Sequence, residues 1–151
     1  MKKVVTFTLV VLFLFSGLTF ALEKATKESC QALVNKAVAY YKVVGKEKAL
    51  AAFSDPKGEF VDGEDYLSVY SMEGTTIAHG INSALIGKNW IGLKDSNGKL
   101  FIKDFVDSAN KPGASGWVEY SWTNPVTKKI APKEAYFIRV DDVIIQAGYY
   151  K

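Results

Sequence analysis

The sequence predicts an α+β domain in which a long N-terminal helix covers one face of a five-stranded antiparallel sheet, while short helices cover the opposite face. Two observations support this fold class. Apolar residues recur at helical spacing before Phe53, and after Asp55 the pattern changes to alternating strands separated by turns. Strands joined by short turns run antiparallel. A chain of 151 residues suffices for one such domain.

The N-terminus reads as an export signal. In "MKKVVTFTLVVLFLFSGLTFALEK", Lys2 and Lys3 precede an apolar run and Ala21 offers a small residue for cleavage. The sequence therefore predicts a signal peptide at residues 1–21 and a single mature domain at 22–151, periplasmic or secreted. The alternative is an uncleaved helix anchoring the domain to the inner membrane, because residues 4–22 are nearly long enough to span it.

Composition excludes several classes of partner. The formal net charge of +3 falls by two when Lys2 and Lys3 are removed, which gives no electrostatic case for nucleic acid or an anionic membrane. Cys30 is the only cysteine, so no internal disulfide can form, and its place in a helical stripe predicts a buried thiol.

The helical part spans residues 23–53 and is broken at Gly45. Its apolar face carries Leu33, Ala37, Tyr40, Tyr41 and Val44. A further helix is expected after the turn "DSNG", with Leu100, Phe105, Ile102 and Ala109 directed inward.

The strands follow from alternation. In residues 65–71, Tyr66, Ser68 and Tyr70 share one face, and residues 76–80 return as the second strand of a hairpin. The remaining strands are "GWVEYSW", "EAYFIRV" and "VIIQAGYY", which form a meander. No repeat is visible.

The stretch "GWVEYSWTNPVTKKIAPKEAYF" favours a small-molecule pocket with a cation at its mouth. Tyr120 and Trp122 share a strand face, and each combines a broad apolar surface with one hydrogen-bonding group. Lys133, expected just before the next strand, would supply a charge for a carboxylate. His79, the only histidine, would donate to the same ligand. The alternative is that these aromatic residues fill the core and Lys133 is solvated.

Catalytic and metal sites lack support. No G-x-S-x-G, H-E-x-x-H, P-loop or G-x-G-x-x-G pattern occurs. The acidic residues between Asp55 and Asp65 lack the spacing of a calcium loop and suit turns. We therefore expect no enzyme, no metal and no cofactor. An enzyme acting on a small acid would have to use His79 beside Tyr120.

The ordered motifs resemble the single Cache domain, type two. They are "AVAYYKVVGKEKALAAFSDPKGEFVDGEDYLSVYSMEGTTIAHGINSALIGKN", "KDSNGKLFIKDFVDSA", "GWVEYSWTNP", "K-x-A-Y" and "AGYY", in this order. The resemblance extends from about residue 25 to residue 151. The resemblance implies a PAS-like extracytoplasmic sensor domain of the kind found in chemoreceptors and sensor kinases, where it binds small molecules, often short carboxylates.

The family's pocket motifs fall on His79, Tyr120, Trp122 and Lys133, with Tyr70 and Trp90 as wall residues. Two departures are visible. The family commonly has proline where this chain has Gly80, and no membrane helix follows the last strand, which predicts a free-standing exported form.

The resemblance implies a sensory domain for a short carboxylate, such as a 2-oxo or 2-hydroxy acid, with a role in signal transduction or chemotaxis. The alternative is a periplasmic interaction module that docks on a membrane receptor, a sensor kinase or another exported partner. A homodimer through the N-terminal helix stays open, because periodicity cannot show whether the sheet or a second copy covers the apolar stripe.

Overall fold

The computed structural model describes residues 24–151, so the predicted signal peptide lies outside the described residues. Two helical layers enclose a central sheet. The helices are α1 (Lys27–Val44), α2 (Lys46–Phe53) and α3 (Phe101–Ser108), with a 3-10 turn at Ser83–Leu85. The strands are β1 (Val61–Asp62), β2 (Asp65–Tyr66), β3 (Ser68–Ser71), β4 (Thr76–His79), β5 (Ser115–Thr123), β6 (Ile130–Val140) and β7 (Val143–Tyr150).

The main sheet confirms the predicted five antiparallel strands, in the order β4-β3-β7-β6-β5. The hairpin β3-β4 and the meander β5-β6-β7 join where β3 pairs with β7. The strand predicted over residues 65–71 is divided, because Asp65–Tyr66 pairs with Val61–Asp62 while Ser68–Ser71 enters the main sheet.

Strand β6 begins at Ile130 rather than at Glu134, so Lys133 lies within the strand and not before it, contrary to the prediction. The strand includes Pro132, although proline cannot donate to a ladder. The Ser121–Pro132 pair tolerates it because the Ser121 N–H points away from β6 and donates to Asp95. In such a non-hydrogen-bonded pair the neighbouring strand requires no N–H from the proline.

Helix α1 has defined ends. Thr26 and Ser29 form a capping box in which each side chain accepts a hydrogen bond from the other's backbone N–H. At the other end Gly45 takes a φ of 83°, a conformation that favours glycine, and so separates α1 from α2. The fully buried positions on α1 are Cys30, Val34, Ala37 and Tyr41.

The predicted apolar face of α1 is therefore correct in direction but displaced. Leu33, Tyr40 and Val44 pack against the core while only partly buried. The buried thiol is confirmed, since Cys30 is 0% exposed.

Alternation divides the sheet residues between two cores. Leu67 and Val69 pack with α1 and α2, while Tyr70 packs with α3 on the opposite face. Phe105, Ile102 and Ala109 are buried as predicted, but Leu100 is the N-cap of α3 and half-buried. The unpredicted Phe101 fills that place. The cavity described below lies in this second core.

Candidate ligand-binding site

The sheet face beneath α3 contains a small enclosed cavity, here called the inner cavity. Five of the six predicted site residues line it: Tyr70, His79, Trp90, Tyr120 and Trp122. The other lining residues are Tyr66, Ser68, Thr76, Leu85, Leu93, Phe101 and Ile102. The volume of the inner cavity is about 20 Å³, which is room for about one water molecule.

Aromatic rings form the wall contributed by β5. The Tyr120 ring stacks on Phe101 with a centroid distance of 4.4 Å and an interplanar angle of 3°. Trp122 tilts against the same phenylalanine at 5.5 Å. Burial raises the pKa of both Tyr70 and Tyr120. Both phenols are therefore protonated at neutral pH and able to donate a hydrogen bond.

Lys133 lies behind the cavity wall, not at the mouth of the pocket as predicted. Its side chain is 1% exposed, and its Nζ donates a 2.9 Å hydrogen bond to the Tyr66 hydroxyl. The ammonium also lies 4.3 Å from the Tyr66 ring centroid and 4.9 Å from that of Tyr150. Within residues 24–151 no carboxylate approaches Nζ to within 4.0 Å.

A directed chain of hydrogen bonds fixes the hydroxyls around this ammonium. The Tyr150 hydroxyl donates to the Thr123 carbonyl at 2.9 Å, so its oxygen is left to accept from Tyr66 at 3.3 Å. Burial raises the pKa of Tyr150, which keeps it a donor. The Tyr66 oxygen accordingly accepts from Lys133 and donates to Tyr150. No other described side chain or carbonyl accepts a hydrogen bond from Lys133 Nζ.

His79 presents a defined tautomer. Its Nδ1 accepts backbone N–H bonds from Ile81 at 3.3 Å and Asn82 at 3.1 Å. Burial, and then the positive charge of Lys133, lowers the pKa of His79 to about 4. The ring is therefore neutral at pH 7 with its proton on Nε2. Because His79 lines the inner cavity, this Nε2–H is a donor available to a bound molecule.

A second, open cavity adjoins the first and is here called the outer cavity. It has a volume of about 320 Å³ and shares Tyr66, His79, Leu85 and Trp122 with the inner cavity. The cation at this outer opening is Lys128, which lies on the β5-β6 loop. The four shared side chains separate the inner cavity from the opening.

Sequence reasoning missed three residues of this region. Tyr66 had been placed on the same face as Tyr70 but was not selected, although alternation was a sufficient signal. Tyr150 pairs with Lys133 across β6 and β7, which local patterns do not reveal. Gln146 donates to the Tyr70 hydroxyl at 3.3 Å, while its buried Oε1 has no partner in the described part of the chain. A lone amide within the apolar strand "VIIQAGYY" was its signal.

Outside the two cavities, three further points bear on function: the Cys30 thiol, metal binding and membrane-spanning helices. Cys30 donates to Asp65 at 3.3 Å, and burial, assisted by that carboxylate, raises its thiol pKa far above the ordinary value. Over residues 24–151 no group of three or more histidine, cysteine or acidic side chains is arranged to hold a metal ion. In the same range no helix is long and apolar enough to cross a bilayer.

A family model described as Single Cache domain 2 matches residues 24–151. The chain belongs to the Single Cache domain 2 family. The sequence-based resemblance is thus confirmed, as is the PAS-like fold, a five-stranded antiparallel sheet with a long N-terminal helix. Cache domains are sensory and binding modules rather than catalytic ones.

Solved structures of sensor domains resemble this Cache domain over most of their length. A methyl-accepting chemotaxis protein from Vibrio parahaemolyticus is 25% identical with a TM-score of 0.70, covering 82% of this chain and 87% of that one. A periplasmic sensor domain of a chemotaxis protein is 27% identical with a TM-score of 0.62, covering 82% and 88%. A Cache chemosensory domain described with its recognition of carboxylic acids shares the fold at 23% identity, with a TM-score of 0.67 and coverage of 82% and 91%.

A curated relative is the sensor histidine kinase MctS of Rhizobium johnstonii, 34% identical over 80 residues. The matched segment is 52% of this chain and 17% of the kinase. The Cache domain is therefore homologous to the ligand-binding domains of sensor kinases and chemoreceptors, and these homologous domains are periplasmic or extracytoplasmic sensor domains.

Proposed function

We propose that this Cache domain binds a short carboxylate, such as a 2-oxo or 2-hydroxy acid, and that Lys133 is the anchor for its charge. The observation that carries the proposal is the buried ammonium of Lys133, which has no carboxylate partner within 4.0 Å among residues 24–151 and contacts Tyr66, a wall residue of the inner cavity.

The electrostatic argument concerns the cost of this buried charge. An ion removed from water loses several kcal/mol of solvation after relaxation of the protein. The two ring faces offset about 2 kcal/mol of this cost, and the single hydrogen bond offsets about 1.5–3 kcal/mol. An anion beside Nζ would accept a charge-assisted hydrogen bond with charge on both partners, which is stronger than the bond that the neutral Tyr66 hydroxyl accepts.

The remaining polar groups suit the oxygens of such an acid. The Nε2–H of His79 and the hydroxyl of Tyr120 would donate to the carboxylate or to the 2-oxo oxygen. Tyr70, Trp90 and Trp122 would contact the short carbon chain. Within residues 24–151, Lys133 behind the wall is the only buried lysine or arginine, and no cation lines the inner cavity itself, which favours a ligand with a single carboxylate over a dicarboxylate.

Binding requires the inner cavity to enlarge. Even a three-carbon acid occupies several times the volume of one water molecule, and the Tyr66 ring lies against the Lys133 ammonium. The ligand would therefore displace the Tyr66 side chain from Lys133 and enter from the outer cavity, past Leu85 and Trp122. This movement is part of the proposal.

The comparisons support the sensory class and the kind of ligand. One structural neighbour is described with carboxylic acid recognition, and others are chemotaxis sensors. We propose accordingly that residues 1–21 are a signal peptide, that the domain acts in the periplasm or outside the cell, and that a membrane receptor or sensor kinase responds to it.

The test is a thermal unfolding series of residues 22–151 with matched charged and uncharged ligands. Pyruvate would be compared with methyl pyruvate, and lactate with lactamide, for the wild type and for Lys133→Met. We expect the charged member of a pair to raise the midpoint and Lys133→Met to abolish the rise. The control is Lys129→Met, which removes an exposed loop lysine and should respond as the wild type.

Two outcomes would contradict the proposal. Equal responses of Lys133→Met and wild type would exclude Lys133 as the anchor. A folded wild type that responds to no carboxylate would exclude the ligand class and favour an interaction module.

A further inference from the structure

Gly148, opposite Ala135 in the β6-β7 ladder, is not required by its backbone conformation. Its φ lies outside the left-handed region that favours glycine. Glycine also weakens a strand interior, since it offers no side chain to pack. A buried glycine at this position therefore calls for a reason other than the backbone.

The space where a side chain would stand is occupied. A Cβ built on Gly148 would lie 2.7 Å from Cε of Lys133, 2.7 Å from Cβ of Ala135 and 2.8 Å from the carbonyl oxygen of Glu134. Ordinary van der Waals contact begins at 3.4 Å. The Lys133 stem thus runs over Gly148, in the volume that any other residue would fill.

This path determines where the charge lies. Cε is bonded directly to Nζ, which contacts the Tyr66 hydroxyl and the rings of Tyr66 and Tyr150. A methyl group on residue 148 would push Cε away from β7, because Cε lies near the end of a flexible side chain. The other two close atoms, Ala135 Cβ and the Glu134 carbonyl oxygen, are held by the backbone. The ammonium would then leave the position from which it reaches the cavity wall.

We propose that Gly148 is a positioning residue for ligand binding: its missing side chain opens the track along which Lys133 places its ammonium between Tyr66 and Tyr150. The inference rests on the proposed anchor role of Lys133 for its consequence in binding. The path of the Lys133 side chain over Gly148 does not depend on any ligand, so the positioning role and the proposed function can be refuted separately.

The ligand-free test is the NMR spectrum of protein carrying ¹³C-labelled lysine. The Lys133 ε-CH2 group beside two aromatic rings should give a ring-current-shifted resonance that is absent in Lys133→Ala. We expect Gly148→Ala to move this resonance to the ordinary lysine position. In Gly92→Ala, where a Cβ meets nothing within 4 Å, it should stay in place. An unshifted resonance in Gly148→Ala would overturn the proposal.

The binding test uses pyruvate as the probe and a double-variant cycle. Gly148→Ala should raise the Kd at least tenfold, and Lys133→Ala combined with Gly148→Ala should bind no more weakly than Lys133→Ala alone. A Kd within twofold of wild type, or losses that add in the double variant, would refute the positioning role. If the wild type binds no carboxylate, the proposed function fails, while the NMR result still decides the track.

A third variant covers the case in which Gly148→Ala does not fold. Lys133→Ala removes Cε, one of the three atoms closer than 3.0 Å to the new methyl group, while Ala135 Cβ and the Glu134 carbonyl oxygen stay in place. If the glycine serves Lys133, the double variant should regain a cooperative unfolding transition. Failure of the double variant to fold would show that the glycine serves Ala135 and the Glu134 carbonyl rather than Lys133, and the proposal would be wrong.

Discussion

Replacing Lys133 with methionine should reverse the order of stability of the two proteins when a ligand is added. The change removes the buried charge but keeps an unbranched side chain over Gly148. Without ligand the variant loses the Tyr66 hydrogen bond, about 1.5–3 kcal/mol, and ring contacts of about 2 kcal/mol. It also avoids a desolvation cost of several kcal/mol. We expect its free energy of unfolding to equal that of wild type or to exceed it by up to about 2 kcal/mol.

With a carboxylate present the order should invert. A ligand at a hundred times its Kd stabilises a folded protein by about 2.7 kcal/mol. For a domain of this size that raises the unfolding midpoint by about 10 °C. Lys133→Met should show none of this gain, because its buried side chain offers the carboxylate no charged donor.

The assay is urea unfolding of both proteins with and without saturating pyruvate or lactate, with Lys129→Met as the control for a lost surface charge. A ligand-free destabilisation above about 3 kcal/mol would refute the reasoning, since that is the cost of breaking a buried ion pair. It would mean that a group within the protein already compensates the charge of Lys133.

Two further predictions concern the frame of the site. Burial lowers the His79 pKa from its ordinary 6.5 to about 4, so between these values the unfolded chain binds a proton that the folded chain does not. The free energy of unfolding should be at its full value above pH 6.5 and fall with decreasing pH, by up to about 3 kcal/mol. Urea unfolding of His79→Asn from pH 4.5 to 7.5 should lack this dependence. A pH dependence retained in the variant would mean that another group causes it. Asp95→Ala removes the acceptor of the Asn97, Lys99 and Ser121 N–H groups and should cost about 1–2 kcal/mol of unfolding free energy. As a control, Asp107→Ala breaks an exposed ion pair with Lys103 and should cost under about 0.5 kcal/mol. Equal losses of unfolding free energy in the two variants would contradict the idea that Asp95 anchors β5 through Ser121.

The fold was largely predictable because each element has its own local signal. Alternation in residues 65–71 assigned Leu67 and Val69 to one face of the sheet and Tyr70 to the other, and the structure has the same division. The pairing of β3 with β7 could not be predicted, since residues such as Ser68 and Gln146 are distant in sequence and local periodicity contains no information on their contact.

The start of β6 was mispredicted for a different reason. Pro132 is a valid breaker signal, but whether a proline breaks a strand depends on which side of the ladder its nitrogen faces. That depends on the register with β5, where Ser121 is the partner and directs its N–H to Asp95. Register is a tertiary property, so the error and the misplaced Lys133 have the same origin.

The site was predictable in composition but not in depth. Strand alternation brought Tyr120 and Trp122 to one cavity, and the charge of Lys133 was recognised. Its burial could not be read from sequence, because it depends on the space left by Gly148 across the ladder and on two tyrosines from other strands. A lysine expected at the mouth of the pocket is instead behind its wall.

The connections of the cavity wall determine which elements would respond to a ligand. The inner cavity is too small for an acid, so binding must move some of its walls. His79 is tied through Nδ1 to the backbone of Ile81 and Asn82, so a hydrogen bond at Nε2 would act on the segment that leads to Leu85. Tyr66, once displaced from Lys133, would act on β2, where the adjacent Asp65 accepts the Cys30 thiol of α1. Of these two routes only the second reaches the N-terminal helix. The rate of Cys30 alkylation, measured with and without pyruvate, tests this second route. A ligand-dependent rate supports it, and an unchanged rate in a protein that binds pyruvate excludes it.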